Sequence, residues 1–130
     1  MGSAFTLSAA ASDVDMTVTA SANRPTVAAT GTANTITVGD GDNTITGGEY
    51  RDDITAGNGD NTIAAGDGNN VVTTGRGDDT ITAGDGDNTI NAGSGDNTVT
   101  VGDGDNGITL GNGDDTVTAG GTTTSTTVFD

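Results

Sequence analysis

Gly39-Asp40-Gly41-Asp42-Asn43-Thr44-Ile45-Thr46-Gly47 is the phrase on which the reading of this chain turns. It recurs with small changes, nine times and without a gap, from Gly39 to Ala119. A weaker copy, Thr30 to Val38, precedes it and keeps Asn34-Thr35-Ile36-Thr37. A short fixed period means stacked coils, each with one neighbour above and one below. Counting each phrase from its first glycine, position seven is Ile36, Ile45, Ile54, Ile63, Val72, Ile81, Ile90, Val99, Ile108 and Val117. All are β-branched, which suits a strand packed on one face. Positions six and eight are mostly Thr, and position nine is small at Ala56, Ala65, Ala83, Ala92 and Ala119. That alternation predicts a short strand with its branched residue inward. Glycine at positions one and three permits the positive φ of a tight turn.

Alternate membership sets the coil length. The phrases starting at Gly39, Gly57, Gly75, Gly93 and Gly111 carry Asp at position four every time: Asp42, Asp60, Asp78, Asp96 and Asp114. Their strands read Thr44/Thr46, Thr62/Ala64, Thr80/Thr82, Thr98/Thr100 and Thr116/Thr118. The other set is irregular, with Ala33, Arg51, Asn69, Asp87 and Asp105 at position four. A coil of three phrases would mix the two sets. The expected fold is therefore all-β: a parallel β-roll, or β-solenoid, with 18-residue coils of two nonapeptides each and about five coils. Residues 30–119 would form the roll. Residues 1–29 are expected to be a non-repetitive N-terminal capping or docking segment, and residues 120–130 a Thr-rich C-terminal cap, because open solenoid ends expose strand edges. Val14, Met16, Val18 and Ala20 alternate with polar residues and predict a strand, with Phe5 and Leu7 as apolar anchors and Arg24-Pro25 as a turn. At the other end Phe129 is the obvious apolar plug.

Composition narrows the function. With 2% aromatic residues, three Lys+Arg and a formal net charge of -16, no ordinary globular core is available. Low hydrophobicity with that charge would suggest disorder, but a strict register argues against it. Acidity disfavours nucleic acid and anionic membranes and favours cations. The absence of His, Cys and Lys removes the usual bases and nucleophiles, and repeated solvated Asp give no reason for one to act as acid and another as base. No enzyme is expected. Met1 to Ala11 has neither a basic region nor a long apolar run, so no cleavable signal peptide and no membrane insertion are expected.

The repeat Gly-x-Gly-[Asp/Asn]-[Asn/Asp]-Thr-[Ile/Val] resembles the calcium-binding repeats-in-toxin (RTX) nonapeptide, Gly-Gly-x-Gly-x-Asp-x-U-x, over roughly 80–90 residues. The resemblance implies a parallel β-roll with Ca2+ held between turns by the motif Asp and the turn carbonyls of adjacent coils. It also implies settings such as secreted toxins, proteases, adhesins and surface layers. The family's Asp falls here on Asp52, Asp79 and Asp115, whereas most phrases have Asn: Asn43, Asn61, Asn70, Asn88, Asn97 and Asn106. The carboxylate has usually moved one residue earlier, to a place that strand parity turns outward. The candidate metal ligands are Asp79 and Asp115 first, with Asp52 and the ladder Asp42, Asp60, Asp78, Asp96 and Asp114.

Two readings of these turns stand open. In one, Asp, Asn and Gly are turn formers, and stacked Asn amides bond along the rod without metal. In the other, the Asp ladder binds calcium, a hard cation that takes carboxylate and carbonyl oxygens. Carboxylates about 5 Å apart repel by ~3–4 kcal/mol at an effective dielectric of 20, which favours some cation binding. The Thr rows are good exposed strand residues, and the Thr-x-Thr ladder also resembles the ice-contacting face of some antifreeze proteins. The leading expectation is a non-enzymatic structural protein: a rigid acidic rod docked through its N-terminal segment. Its setting would be a virion (decoration or fibre) or an extracellular layer or filament, with a protein assembly partner or self-association into an oligomer. A secreted calcium-binding RTX module and an ice-binding protein are the alternatives.

Overall fold

A branched residue at every ninth place can be buried only if successive strands alternate between two facing sheets, and the chain does this. The structure, a computed structural model, describes residues 6–9, 16–20, 26–29, 33–121 and 123–129. Among these described residues fourteen strands run in chain order: β1 Thr6–Ala9, β2 Met16–Ala20, β3 Thr26–Ala29, β4 Asn34–Val38, β5 Thr44–Thr46, β6 Asp52–Thr55 and β7 Thr62–Gly66. Then follow β8 Val71–Thr73, β9 Thr80–Ala83, β10 Thr89–Asn91, β11 Thr98–Val101, β12 Asp105–Leu110, β13 Thr116–Ala119 and β14 Thr123–Val128. Odd strands β1 to β13 form one seven-stranded sheet and even strands β2 to β14 the other. Every pairing is parallel.

The register advances by one coil of 18 residues at each step through the repeat. Ile45 lies opposite Ile63, Ile63 opposite Ile81, and Ile81 opposite Val99 in one sheet. Ile36, Ile54, Val72, Ile90 and Ile108 stack likewise in the other. The expected β-roll with two nonapeptides per coil is the fold, and the repeat supplies its five central coils as β4 to β13. Hydrogen bonding does not stop at residue 30. The alternating segment around Met16 and Val18 forms β2, in register with Asn34 and Ile36, and β1 and β3 extend the other sheet. Phe5, Val14 and Arg24-Pro25 lie outside the described residues.

Burial alternates along each strand as the sequence predicts. Ile36, Ile45, Ile54, Ile63, Val72, Ile81, Ile90, Val99 and Ile108 form the central column of the core, flanked by Val38, Ala56, Ala65, Ala83, Ala92, Val101 and Leu110. Each strand contributes only one or two such side chains, so the backbone ladders carry much of the cohesion. The turns are tight because glycine at position three has positive φ, 122° at Gly59 and 133° at Gly77. A Cβ at Gly59 would also stand 2.6 Å from the carbonyl group of Gly41 in the coil before. Conformation and close approach both demand glycine there.

At the C-terminal end the expected plug is not made. Phe129 is 58% exposed and Val128 48%. In the β14 register Thr126 takes the place of Ile108 and Val128 that of Leu110, so Phe129 falls on the outward parity. Strand β14 extends only the even sheet, and at the end of the odd sheet Ala119 is exposed and Val117 only partly buried.

Candidate metal centre in the turn ladders

Three polar rows run along each edge of the roll: an exposed row at position two, where Asn58 N–H donates to Asp40 and Asp85 N–H to Asp67, and the rows at positions four and five. The outer row, position four, is exposed, and Asp42, Asp60, Asp78 and Asp96 each accept a hydrogen bond from the backbone N–H of the following coil. Asp60 N–H donates to Asp42 Oδ1 at 3.1 Å, Asp78 to Asp60 at 2.9 Å, Asp96 to Asp78 at 2.8 Å and Asp114 to Asp96 at 2.9 Å. Asp87 N–H to Asn69 and Asp105 N–H to Asp87, both 2.9 Å, repeat the pattern on the opposite edge. Water around these carboxylates lowers the repulsion between neighbours to ~1 kcal/mol. Among the described residues, no three acidic side chains converge where they could hold a metal ion.

The inner row, position five, is buried and has the opposite polarity. Here the side-chain oxygens from Asp52 and Asn61 onward accept from the N–H of the preceding coil, while Asn34 Oδ1 and Asn43 Oδ1 are buried without a partner among the described residues. Asn43 N–H donates to Asn61 Oδ1 at 3.2 Å, Asn61 to Asp79 at 2.9 Å, Asp79 to Asn97 at 3.0 Å and Asn97 to Asp115 at 2.9 Å. On the other edge Asn34, Asp52, Asn70, Asn88 and Asn106 make the same chain of bonds, at 2.8–3.1 Å. The carboxamide nitrogen turns back into its own turn. Asn61 Nδ2 donates to Gly57 O at 3.2 Å and Gly59 O at 2.8 Å. Asn43, Asn70, Asn88 and Asn106 likewise reach the carbonyls at positions one and three of their own phrases.

Three carboxylates occupy this inner row, and their surroundings differ. Asp52 uses both oxygens: Oδ1 accepts from Asn34 N–H at 2.9 Å and Nδ2 at 2.6 Å, and Oδ2 accepts from Gly48 N–H at 2.8 Å. Asp79 uses one: Oδ1 accepts from Asn61 N–H and Nδ2, both at 2.9 Å. Its Oδ2 is buried without a partner, as is the hydroxyl of Thr74. Asp115 repeats the pattern, with Oδ1 bonded to Asn97 N–H and Oδ2 buried without a partner. Burial raises the pKa of Asp79, and the charge of Asp60 adds to the rise; the nearby Thr74 hydroxyl and the Asn61 donors pull it down. Thr74 affects this carboxyl group from close by, yet among the described residues its Oγ1 is not in hydrogen-bonding geometry with any group.

These details bear on which residues could hold a calcium ion. A buried carboxylate oxygen with no donor among the described residues, close to turn carbonyls, offers the hard oxygen ligands that calcium takes. Asp79, with Thr74 beside it, and Asp115 fit that description. The Asn turns do not, since the group presented there is an amide N–H2 already bonded to the carbonyls. The outer ladder Asp42, Asp60, Asp78, Asp96 and Asp114 faces solvent one residue away from these seats. Thr74 was not legible as a site residue; its only signal is a hydroxyl at position nine, where most other phrases have a small or apolar residue.

The sequence profile of the RTX calcium-binding nonapeptide repeat, in four copies, matches residues 28–63, 37–72, 46–81, 65–99 and 82–117. No curated protein and no solved structure matches the chain.

Proposed function

The chain belongs to the RTX calcium-binding nonapeptide-repeat family, and from that premise we propose that it is a calcium-binding, non-enzymatic β-roll serving as a short rigid acidic rod in an extracellular or virion assembly. The observation that carries the calcium part is the pair of buried, unpartnered carboxylate oxygens on Asp79 and Asp115. When bound, calcium supplies positive charge to a seat otherwise lined with oxygen atoms; Asp79 Oδ2 with the nearby Thr74 hydroxyl would hold an ion at one turn, and Asp115 Oδ2 a separate ion two coils further along. No helix among the described residues is long and apolar enough to cross a membrane.

Assembly is supported by the ends of the roll. The flanks are lined with exposed carboxylates, which discourage side-by-side association. At the C-terminal end, by contrast, Val128 and Ala119 are exposed at the last strands of the two sheets, a surface suited to end-on contact, with Phe129 exposed on the outer face beside it. The N-terminal segment is the second docking element. Isothermal titration of the full chain tests the calcium reading: heat of binding is expected, and its absence in both wild type and the Asp79→Asn/Asp115→Asn variant would sink it. Sedimentation velocity tests assembly. Species larger than a monomer are expected, diminished by Phe129→Asp and by deletion of residues 1–29; a monomer at every concentration, with no partner bound, overturns the rod reading.

One observation favours ice binding as a second reading. Thr26, Thr44, Thr62, Thr80, Thr98 and Thr116 form an exposed column in register on the odd sheet. Thr46, Thr82, Thr100 and Thr118 form a second column, interrupted by Ala28 and Ala64. Thermal hysteresis that disappears in Thr80→Tyr and Thr98→Tyr is the expected result, and none in wild type removes the reading.

A further inference from the structure

We infer that the asparagine carboxamide takes the place of the inter-turn cation in this chain, so that the roll folds without calcium and calcium is an addition at the Asp79 and Asp115 turns alone. The calcium clause rests on the function proposed above; the folding clause stands on hydrogen bonds independently of it.

The argument starts from what each turn presents to its own interior. Positions one and three offer carbonyl oxygens, and position five offers a side chain that must also accept the N–H of the preceding coil. A carboxylate at position five puts only acceptors around the seat, and acceptors facing one another need a positive charge or a proton. A carboxamide resolves this internally, because one oxygen accepts while two N–H groups donate. The structure shows both halves at once. Asn88 Oδ1 accepts from Asn70 N–H at 3.1 Å, while Asn88 Nδ2 donates to Gly84 O at 3.2 Å and Gly86 O at 2.9 Å. Asn61 and Asn70 repeat that arrangement, and Asn97 holds Gly95 O at 2.9 Å. An amide group thus sits where the cation would otherwise gather the turn carbonyls.

The remaining carboxylates fit the same logic. Asp52 is answered by a main-chain donor, Gly48 N–H. Among the described inner-row carboxylates, Asp79 and Asp115 keep a buried oxygen without a partner, and Asp79 itself is 1% exposed; the first carboxamide of each edge, Asn34 and Asn43, likewise leaves its Oδ1 unpartnered. Both lie on one edge with Asn97 between them, so their seats are two coils, or ~10 Å, apart. Adjacent seats would place two divalent ions ~5 Å from each other, where their repulsion is about twice as large. Alternation with asparagine separates them.

The test uses the full chain. Far-UV circular dichroism in excess chelator is expected to show the β spectrum unchanged from that in calcium, and a coil spectrum that needs calcium to convert overturns the inference. Titration with calcium should give two ions or fewer per chain, and more than two overturns it. No ion bound to a roll that folds in chelator leaves the carboxamide substitution standing and removes the calcium reading, so the two failures are distinguishable. Asn88→Asp puts a carboxylate into a closed seat: in chelator its melting temperature should fall by roughly 5–15 °C, with recovery on adding calcium. An unchanged melting temperature in chelator contradicts the inference. Should that variant fail to fold even with calcium, Asp79→Asn decides: it should melt no lower than wild type in chelator and bind one ion fewer, and a lower melting temperature overturns the proposal.

Discussion

Asp52 and Asp79 occupy the same position of the same repeat, both 1% exposed, and the roll treats them differently. At Asp52 the turn is Gly48-Glu49-Tyr50-Arg51, and it supplies the Gly48 N–H to the second carboxylate oxygen. At Asp79 the turn is Gly75-Arg76-Gly77-Asp78, and the second oxygen has no partner. The first turn also puts Tyr50 at the glycine position with φ 125°, a conformation costly for a residue with a side chain. A buried carboxylate in this fold is therefore accommodated in one of two ways. Either a main-chain N–H of the turn donates to the second oxygen, as Gly48 does, or that oxygen has no donor among the described residues, as at Asp79. Tyr50 keeps the positive φ of the glycines at this position, 122° at Gly59 and 133° at Gly77, so its strain comes from the side chain and not from a different turn. The inner carboxamides avoid the choice.

The largest effect should come from removing the acceptor at the self-sufficient turn. Asp52→Ala leaves the N–H groups of Asn34 and Gly48 buried without an acceptor, and roughly 3–5 kcal/mol of stability should be lost in denaturant titrations, with or without calcium. Asp79→Asn is expected to act in the opposite direction. In chelator it replaces an unpartnered buried oxygen by an amide that can bond the turn carbonyls, a gain of about 1–2 kcal/mol, and it should abolish the calcium response of that turn. If both variants destabilise equally in chelator, the contrast between the two turns is wrong.

Tyr50→Gly sharpens the comparison at the strained turn. Relief of strain of ~1–3 kcal/mol, less ~0.5–1 for the extra chain entropy of glycine, predicts a net gain of about 1 kcal/mol, read as a raised thermal midpoint. A loss would mean that the Tyr50 side chain contributes more than its backbone conformation costs. The smallest effect belongs to the outer ladder. Asp60→Asn keeps an oxygen for Asp78 N–H in full solvent, so stability should stay within ~0.5 kcal/mol and calcium stoichiometry should be unchanged. A lost ion in that variant would move the metal site outward.

The chain alone determined the period, and from it the coil of 18 residues, the two parallel sheets and the inward column from Ile36 to Ile108. Strand parity also implied that the Asp of position four faces out; that position five lies in the turn interior was seen only in the fold. Periodicity and strand parity are properties of spacing, so they can be read along one dimension. Only the tertiary structure decided which way each side chain turns between coils: the inner row accepting from the coil before, the outer row from the coil after. It likewise decided that Gly48 answers Asp52 while no described donor answers the second oxygen of Asp79, that Thr74 stands near that carboxyl group, and that Phe129 points outward instead of closing the end. Hydrogen-bond direction depends on groups 18 residues apart and on the local path of the turn backbone. Residues of one type at equivalent positions can meet different donors, and no spacing rule distinguishes them.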